Sequence, residues 1–351
     1  MSKMKAAVLY APGDLRYEEV EKPEVKNSDD VLIKVHEVGI CGSDISRVLH
    51  TGTYTFPTIP GHEFSGTVES VGEGVKEIKL GDKVVVAPML PCMVCEACVK
   101  GHYGQCESYD FIGSRRDGAF AEYVVAPEKN ILKLPYNVST EEGALVEPAA
   151  VTLHGMINVK INPGDTVVVL GCGPIGQLAI QFSKIMGATK VIAVDILDKK
   201  LEEAIAIGAD ICINSLLGDP VEAIKEITTG KGANVTIETA GSNITQEQAF
   251  RTTRDLGRIL FLGTAHKDIV LPPKTFERIV RGEVQVFGSW NSYSAPFPGV
   301  EWRATLDYIS AGKLKVSQLI THKFNLSEAP KVFEKLGERA IEFNKIIFVN
   351  N

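Results

Sequence analysis

The stretch DTVVVLGCGPIGQLAIQFSKIMGATKVIAVD, residues 165–195, decides the fold. It opens on Asp165 to Leu170, a continuous apolar run of the kind buried on both faces of a parallel sheet. Gly171-Cys172-Gly173-Pro174-Ile175-Gly176 follows and fits G-x-G-x-x-G. Ile175, Leu178, Ala179, Phe182 and Ile185 then share one helical stripe. A second strand, 191–195, ends on Asp195. Strand, glycine turn, helix, strand and acid in that order are the context a dinucleotide fingerprint requires. Gly171 permits the tight turn, Gly173 lets the backbone approach a pyrophosphate, and Gly176 lets the helix pack close to the strand. Pro174 and Ile175 lie in the first helical turn, whose free N–H groups and partial positive charge suit phosphates. Asp195 is expected to accept ribose hydroxyls and to repel a 2′-phosphate, so NAD is expected rather than NADP. Lys200 either touches the same ribose or lies in solvent. The alternative is a plain glycine turn in an α/β protein that binds something else.

Strand-helix alternation continues to about residue 290, the mark of a doubly wound parallel sheet. Before it, short β-rich runs such as KAAVLYA, DVLIKVHEVGI and DKVVVAP are separated by Gly and Pro turns, which predicts a partly rolled β domain. The expected division is therefore 1–149 as a β-rich domain, 150–290 as the dinucleotide domain, and 291–351 as a tail returning to the first. The fold class is α/β.

A length of 351 residues suits two or three domains. With 44% hydrophobic and 23% charged residues the composition is that of a globular protein. A net charge of -7 argues against non-specific binding to nucleic acid or anionic membranes. No apolar run approaches the ~20 residues of a membrane helix, and the N-terminal apolar stretch is too short for a signal-peptide core. A cytoplasmic location is expected.

Seven cysteines without a secretion signal argue for metal rather than disulfides. Cys92, Cys95, Cys98 and Cys106 lie in PCMVCEACVKGHYGQC (91–106). Two C-x-x-C steps and a fourth Cys can close a tetrahedral thiolate cage, and four protein ligands make a zinc there structural. An iron–sulfur cluster or a redox pair are the alternatives. A second set is dispersed: Cys41 in GICGSD, His62 and Glu63 in PGHEFSG, and Glu147 in VEPAA. Singly, Cys41 suits a buried apolar site, His62 a turn or core, and the glutamates a salt-bridged surface. Together a Cys, a His and a carboxylate make a mixed metal site with room for water or substrate.

GICGSD (39–44), GHEFSGTVESVG (61–72), GDKV (81–84), the four-cysteine lobe, EP (147–148) and GCGPIG resemble the zinc-dependent medium-chain dehydrogenase/reductase family over essentially the whole chain. Glu147 stands where liver-type alcohol dehydrogenases carry a second ligand cysteine, which is similar to the polyol dehydrogenase branch. The resemblance implies a GroES-like catalytic domain, a Rossmann domain, two zinc ions per chain, and NAD-linked oxidation of a secondary hydroxyl of a small polyol or polyol phosphate. It assigns the catalytic zinc to Cys41, His62 and Glu147, with Glu63 ligating instead in some relatives. It makes Ser43 the start of a proton relay; many relatives continue with a histidine where this chain has Ser46, and His50 is a substitute or a surface residue. Arg115 and Arg116, in GSRRDG (113–118), border the substrate cleft in the family. Their forked donors suit phosphate, and pairing with Asp117 or Glu122 is the alternative. Trp290, Asn291 and Tyr293 are cleft or packing residues. Sorbitol, xylitol, butanediol and L-threonine dehydrogenases are the other activities the resemblance allows, and a catalytically silent protein of this fold is the non-enzymatic one. A homodimer or homotetramer is expected.

Overall fold

A computed structural model describes residues 2–350. They form two compact units: one comprises the chain up to Pro148 together with Tyr293 onward, the other Ala149–Ser292. In the first, β1 (Lys3–Ala11) and β2 (Asp14–Glu21) make an antiparallel hairpin. β3 (Asp30–Gly39) leads into the short helix α1 (Gly42–Ser46). β4 (Glu63–Val71), β5 (Lys83–Val86), the two-residue strands β6 (Met89–Leu90) and β7 (Asp110–Phe111), β8 (Tyr123–Pro127) and β9 (Ile131–Lys133) follow. A one-turn helix, α2 (Glu96–Val99), lies in the cysteine lobe, α3 (Thr140–Gly143) comes after β9, and α4 (Val146–Val159) carries the chain out of this unit.

The second unit is a six-stranded parallel sheet. Its strands are β10 (Thr166–Leu170), β11 (Lys190–Asp195), β12 (Ile211–Asn214), β13 (Ala233–Glu238), β14 (Thr253–Phe261) and β15 (Gln285–Gly288), in the order β12-β11-β10-β13-β14-β15. β10 is β-branched at Thr166, Val167, Val168 and Val169, and its last four residues are buried, as a central strand requires. Between β10 and β11 runs α5 (Pro174–Ile185), with Pro174 at its first position, where a missing N–H costs nothing. The stripe expected on α5 is wider than its periodicity implied. Ile175 and Ile185 are only half-buried, while Gln177, Ile180, Gln181 and Ser183 are buried. The helix touches β10, β11 and β13 and also α6 (Asp198–Ala206), so more than one face is covered. α7 (Pro220–Ile227), α8 (Asn243–Thr252) and α9 (Pro273–Val280) complete the alternation.

The tail contributes α10 (Val300–Ser310), β16 (Ile320–Asn325), α11 (Ala329–Gly337) and β17 (Lys345–Val349) to the first unit. β17 pairs parallel with β16 and antiparallel with β3, in a sheet of order β16-β17-β3-β4-β5-β9 with β8 also on β3. Phe120, Phe333 and Phe348 meet at its core, with the rings of Phe120 and Phe348 edge to face at 5.3 Å. Among the described residues no helix is long and apolar enough to cross a membrane. Phe348→Ala is expected to destabilise the first unit by about 3–5 kcal/mol, measured as a lower urea midpoint.

Candidate metal and dinucleotide sites

Strands β3, β4 and β17 lie side by side, with Gly39 opposite both Glu63 and Ile347. That register gathers three distant segments. Cys41 sits just past β3 at the N-cap of α1, and its N–H donates to Asp44 Oδ2 at 3.0 Å. His62 and Glu63 stand at the head of β4, and Lys345 at the head of β17. One donor atom from each of Cys41, His62 and Glu63 lies within 4.8 Å of the others, with His62 and Glu63 buried and Cys41 half-buried. Glu147, in the first turn of α4, is buried but falls outside this trio. The carboxylate brought to ligand distance is therefore Glu63. Burial pushes the Glu147 carboxyl up to about 7, against the pull of His62 and with the help of Glu63.

Three residues around this trio escaped the sequence reading. Lys345 is buried and donates to both Glu63 oxygens, at 2.6 and 2.8 Å, and to the Ile40 carbonyl at 3.1 Å. A methyl group on Gly39 would collide with the same carboxylate, so the strand beside it must carry glycine there. Asp44 is fully buried, with Oδ1 3.3 Å from His62 Nδ1. This carboxylate favours the tautomer with Nδ1–H and leaves Nε2 for a metal. Burial alone would push the His62 imidazole down, yet Asp44 and Cys41 hold it well above its ordinary value. Asp44 is held low in turn, burial being outweighed by His62 and Arg47. Arg47 also donates from Nη1 to Ser43 Oγ at 2.9 Å, so the serine oxygen accepts and its hydrogen is free for another partner. His50 is exposed.

A thiol, an imidazole and a carboxylate are the mixed donors zinc takes when it keeps one position for water or substrate. The donor set fits such an ion. Buried around it are the carboxyl groups of Asp44, Glu63 and Glu147, with the Lys345 ammonium bonded to Glu63.

The four-cysteine lobe is a different kind of site. Its sulfurs all lie within 4.8 Å of one another. Cys92 and Cys98 Sγ are 3.9 Å apart, against about 3.8 Å for the edge of a tetrahedron with Zn–S bonds of about 2.3 Å. The Cys95 N–H points at Cys92 Sγ and the Cys92 N–H at Cys106 Sγ, both at 3.3 Å. Backbone amides of Val94 and Cys95 bring the Cys92 thiol down to about 6, whereas burial drives Cys98 up to about 12. One sulfur is thus stabilised as thiolate by amides, and a buried one needs a cation to ionise.

In the second unit, Gly171 has φ +95°, and a Cβ on Gly176 would collide with the Gly171 carbonyl. Gly173 caps α5, and no heavy atom lies within 4 Å of where its Cβ would be. The switch in strand order falls between β10 and β13, where α/β sheets bind ligands at the C-terminal strand ends. Asp195 accepts N–H bonds from Cys172 at 2.7 Å, Ile196 at 2.7 Å and Leu197 at 3.0 Å. Of about four acceptor positions on a carboxylate, that leaves one on Oδ2. Lys200 is not in solvent: it is buried, 3.5 Å from Glu203.

The two arginines of GSRRDG separate. Arg116 is exposed and its Nε lies 3.5 Å from Asp110, not against Asp117 or Glu122. Those two acids instead accept the backbone N–H groups of Ile59 and Lys5. Arg115 stacks on Tyr54 and Tyr109. Tyr293 is a packing residue, buried, stacked on Phe297 at 5.7 Å and accepting the Met89 N–H at 2.9 Å. Trp290 is exposed, and Asn291 adopts φ 59°.

Replacing Lys345 by Met leaves a buried carboxylate without its cation. In chelator-treated protein the expected loss is about 3–5 kcal/mol, with Lys345→Arg losing less; equal urea midpoints for wild type and Lys345→Met would discard the pair as a stabilising element.

Two family models match the chain, "Alcohol dehydrogenase GroES-like domain" over residues 27–136 and "Zinc-binding dehydrogenase" over residues 174–308. The chain is 38% identical over 338 residues to galactitol 1-phosphate 5-dehydrogenase of Escherichia coli K12, covering 96% of this chain and 98% of that one. It is 33% identical to sorbitol dehydrogenase of Bacillus subtilis over 97% of this chain and 94% of that one. The crystal structure of galactitol-1-phosphate dehydrogenase from Escherichia coli superposes with a TM-score of 0.94 at 37% identity, covering 99% of this chain and 100% of that one. With its GroES-like and Rossmann architecture, the chain belongs to the zinc-dependent, NAD(P)-linked family of medium-chain alcohol dehydrogenases.

Proposed function

We propose that this dehydrogenase transfers a hydride from a secondary hydroxyl of a polyol phosphate, galactitol 1-phosphate, to NAD+, with two zinc ions per chain. The observation that carries the reading is the contrast between the two donor sets. Cys92, Cys95, Cys98 and Cys106 close a site, whereas Cys41, His62 and Glu63 offer three donors and leave a fourth position for substrate. The similarity to galactitol 1-phosphate 5-dehydrogenase supports this substrate over others.

When bound at the trio, zinc lowers the pKa of an alcohol and stabilises developing negative charge, and the nicotinamide accepts the hydride. The chain's own residues do the rest. Asp44 places a negative charge 3.3 Å from His62 Nδ1, and Lys345 holds the Glu63 carboxylate by hydrogen bonds. Glu147 is the buried acid beside them and the alternative ligand. Arg47 orients the Ser43 hydroxyl, which we assign as first carrier of the substrate proton. In the second unit, Gly171, Gly173, Pro174, Ile175 and Gly176 present the start of α5 to the pyrophosphate. The remaining acceptor position of Asp195 would take a ribose hydroxyl of the bound dinucleotide and disfavour a 2′-phosphate. The expected setting is the cytoplasm, as a homodimer or homotetramer. A second reading, oxidation of an unphosphorylated polyol such as sorbitol, xylitol or butanediol, draws support from the sorbitol dehydrogenase relative.

NADH formation with a panel of hexitols, with and without a terminal phosphate, tests the substrate. Cys41→Ser is expected to retain one zinc of two and to lose activity by more than about 100-fold, beyond the 10- to 100-fold typical of losing a residue that only orients a ligand. A mutant that keeps both metals and full turnover would falsify the assignment. Asp195→Ser is expected to raise the NADP+/NAD+ ratio of kcat/KM by at least about tenfold, since it removes a like charge from the 2′-phosphate.

A further inference from the structure

We infer that Arg115, clamped between Tyr54 and Tyr109, is the residue that recognises the phosphate group of the substrate, and that its neighbour Arg116 has no part in this. The inference rests on the polyol-phosphate reading above and assigns that reading a recognition element. The guanidinium carbon of Arg115 lies 4.1 Å from the centroid of the Tyr54 ring and 4.4 Å from that of Tyr109. Both rings lie within cation–π distance of the guanidinium, and a neutral phenol beside it does not neutralise its charge, which an anion can still answer through the forked N–H donors. Among the described residues no carboxylate forms an ion pair with Arg115, whereas Arg116 already faces Asp110. The Arg115 Nε is buried without a hydrogen-bond acceptor. Holding a cation so that one of its donors goes unmet is a cost; an anion on the terminal nitrogens would balance the charge, although not that donor.

The clamp is also tied to the metal trio. Its own N–H donates to the Phe111 carbonyl at 3.0 Å, and the Tyr54 N–H donates to the Ser114 carbonyl at 3.3 Å. The Tyr109 ring meets Phe111 edge-on at 6.4 Å, and Phe111 meets the His62 imidazole edge-on at 5.7 Å. Two aromatic rings thus connect the guanidinium to a metal-binding imidazole. A substrate whose hydroxyl is held at one end and whose anionic ester lies several carbons away matches a cation set apart from the metal. The forked planar donors match a phosphate monoester, which accepts two parallel hydrogen bonds.

The test is steady-state kinetics of zinc-loaded Arg115→Ala, Arg115→Lys and Arg116→Ala with NAD+, comparing galactitol 1-phosphate with galactitol. In Arg115→Ala the preference for the phosphorylated substrate, as a ratio of kcat/KM, is expected to fall about 10- to 150-fold, the value of a hydrogen bond to a charged group. The loss should appear in KM. Arg115→Lys restores only part of it, because an ammonium neither stacks flat nor forks. Arg116→Ala should keep the ratio within about threefold of wild type, as surface substitutions do. A ratio unchanged in Arg115→Ala, an equal fall in both alanine variants, or a wild type indifferent to the phosphate would overturn the inference. Should the wild type oxidise neither compound, the substrate reading fails by itself. Arg115 is then judged by calorimetric titration with inorganic phosphate: binding lost in Arg115→Ala upholds the anion site, and equal binding in both proteins removes it.

Discussion

The buried pair of Lys345 and Glu63 is the constraint on which the donor trio of Cys41, His62 and Glu63 depends. Taking both charges out of water costs more than their attraction returns unless every proton and lone pair is met. Here the three protons of the ammonium go to the two Glu63 oxygens and the Ile40 carbonyl. The carboxylate is thereby fixed in rotation, and each of its oxygens keeps capacity for a further partner. The absence of a side chain at Gly39 gives it space, and the register of β3 against β4 and β17 sets the distance. The imidazole of His62 has a buried carboxylate beside it as well, with Asp44 Oδ1 3.3 Å from Nδ1. The donors of this site are aimed by buried charges that belong to neither substrate nor cofactor.

The two donor clusters reach the same end by opposite routes. The four cysteines come from one loop and are gathered by turns and by the single helical turn of α2, with amide hydrogens directed at sulfur. The Cys41, His62 and Glu63 set is assembled from separate strands, so its geometry is inherited from the sheet. A local cage tolerates changes elsewhere in the fold. A site built from strand register moves whenever a strand moves, and here its surroundings are buried.

How much of this was legible beforehand follows the same division. The strand-turn-helix-strand of residues 165–195 is encoded within one contiguous segment, and its periodicity, glycines and terminal acid could be read directly. So could the cysteine spacing. The choice between Glu63 and Glu147 could not, since it depends on which carboxylate the pairing of β3 with β4 carries to Cys41 and His62. Lys345 was invisible for a related reason. A lysine at the head of an apolar strand reads as a solvated end, and only the partner strand reveals that it is buried. Arg115 and Arg116 are adjacent and chemically identical, and the rings of Tyr54 and Tyr109 around one and Asp110 beside the other set them apart. The width of the buried surface on α5 likewise reflects several neighbouring elements, which periodicity along one helix cannot count.

The cation that steadies Glu63 lies 282 positions further along the chain. On the ribosome, the nascent polypeptide therefore exposes Cys41, His62 and Glu63 long before Lys345 has been translated, whereas the cysteine lobe can take its ion as soon as Cys106 emerges. The two donor sets are thus completed at different points of the chain: the four cysteines lie within one loop, whereas the buried partner of Glu63 arrives only with the last strand.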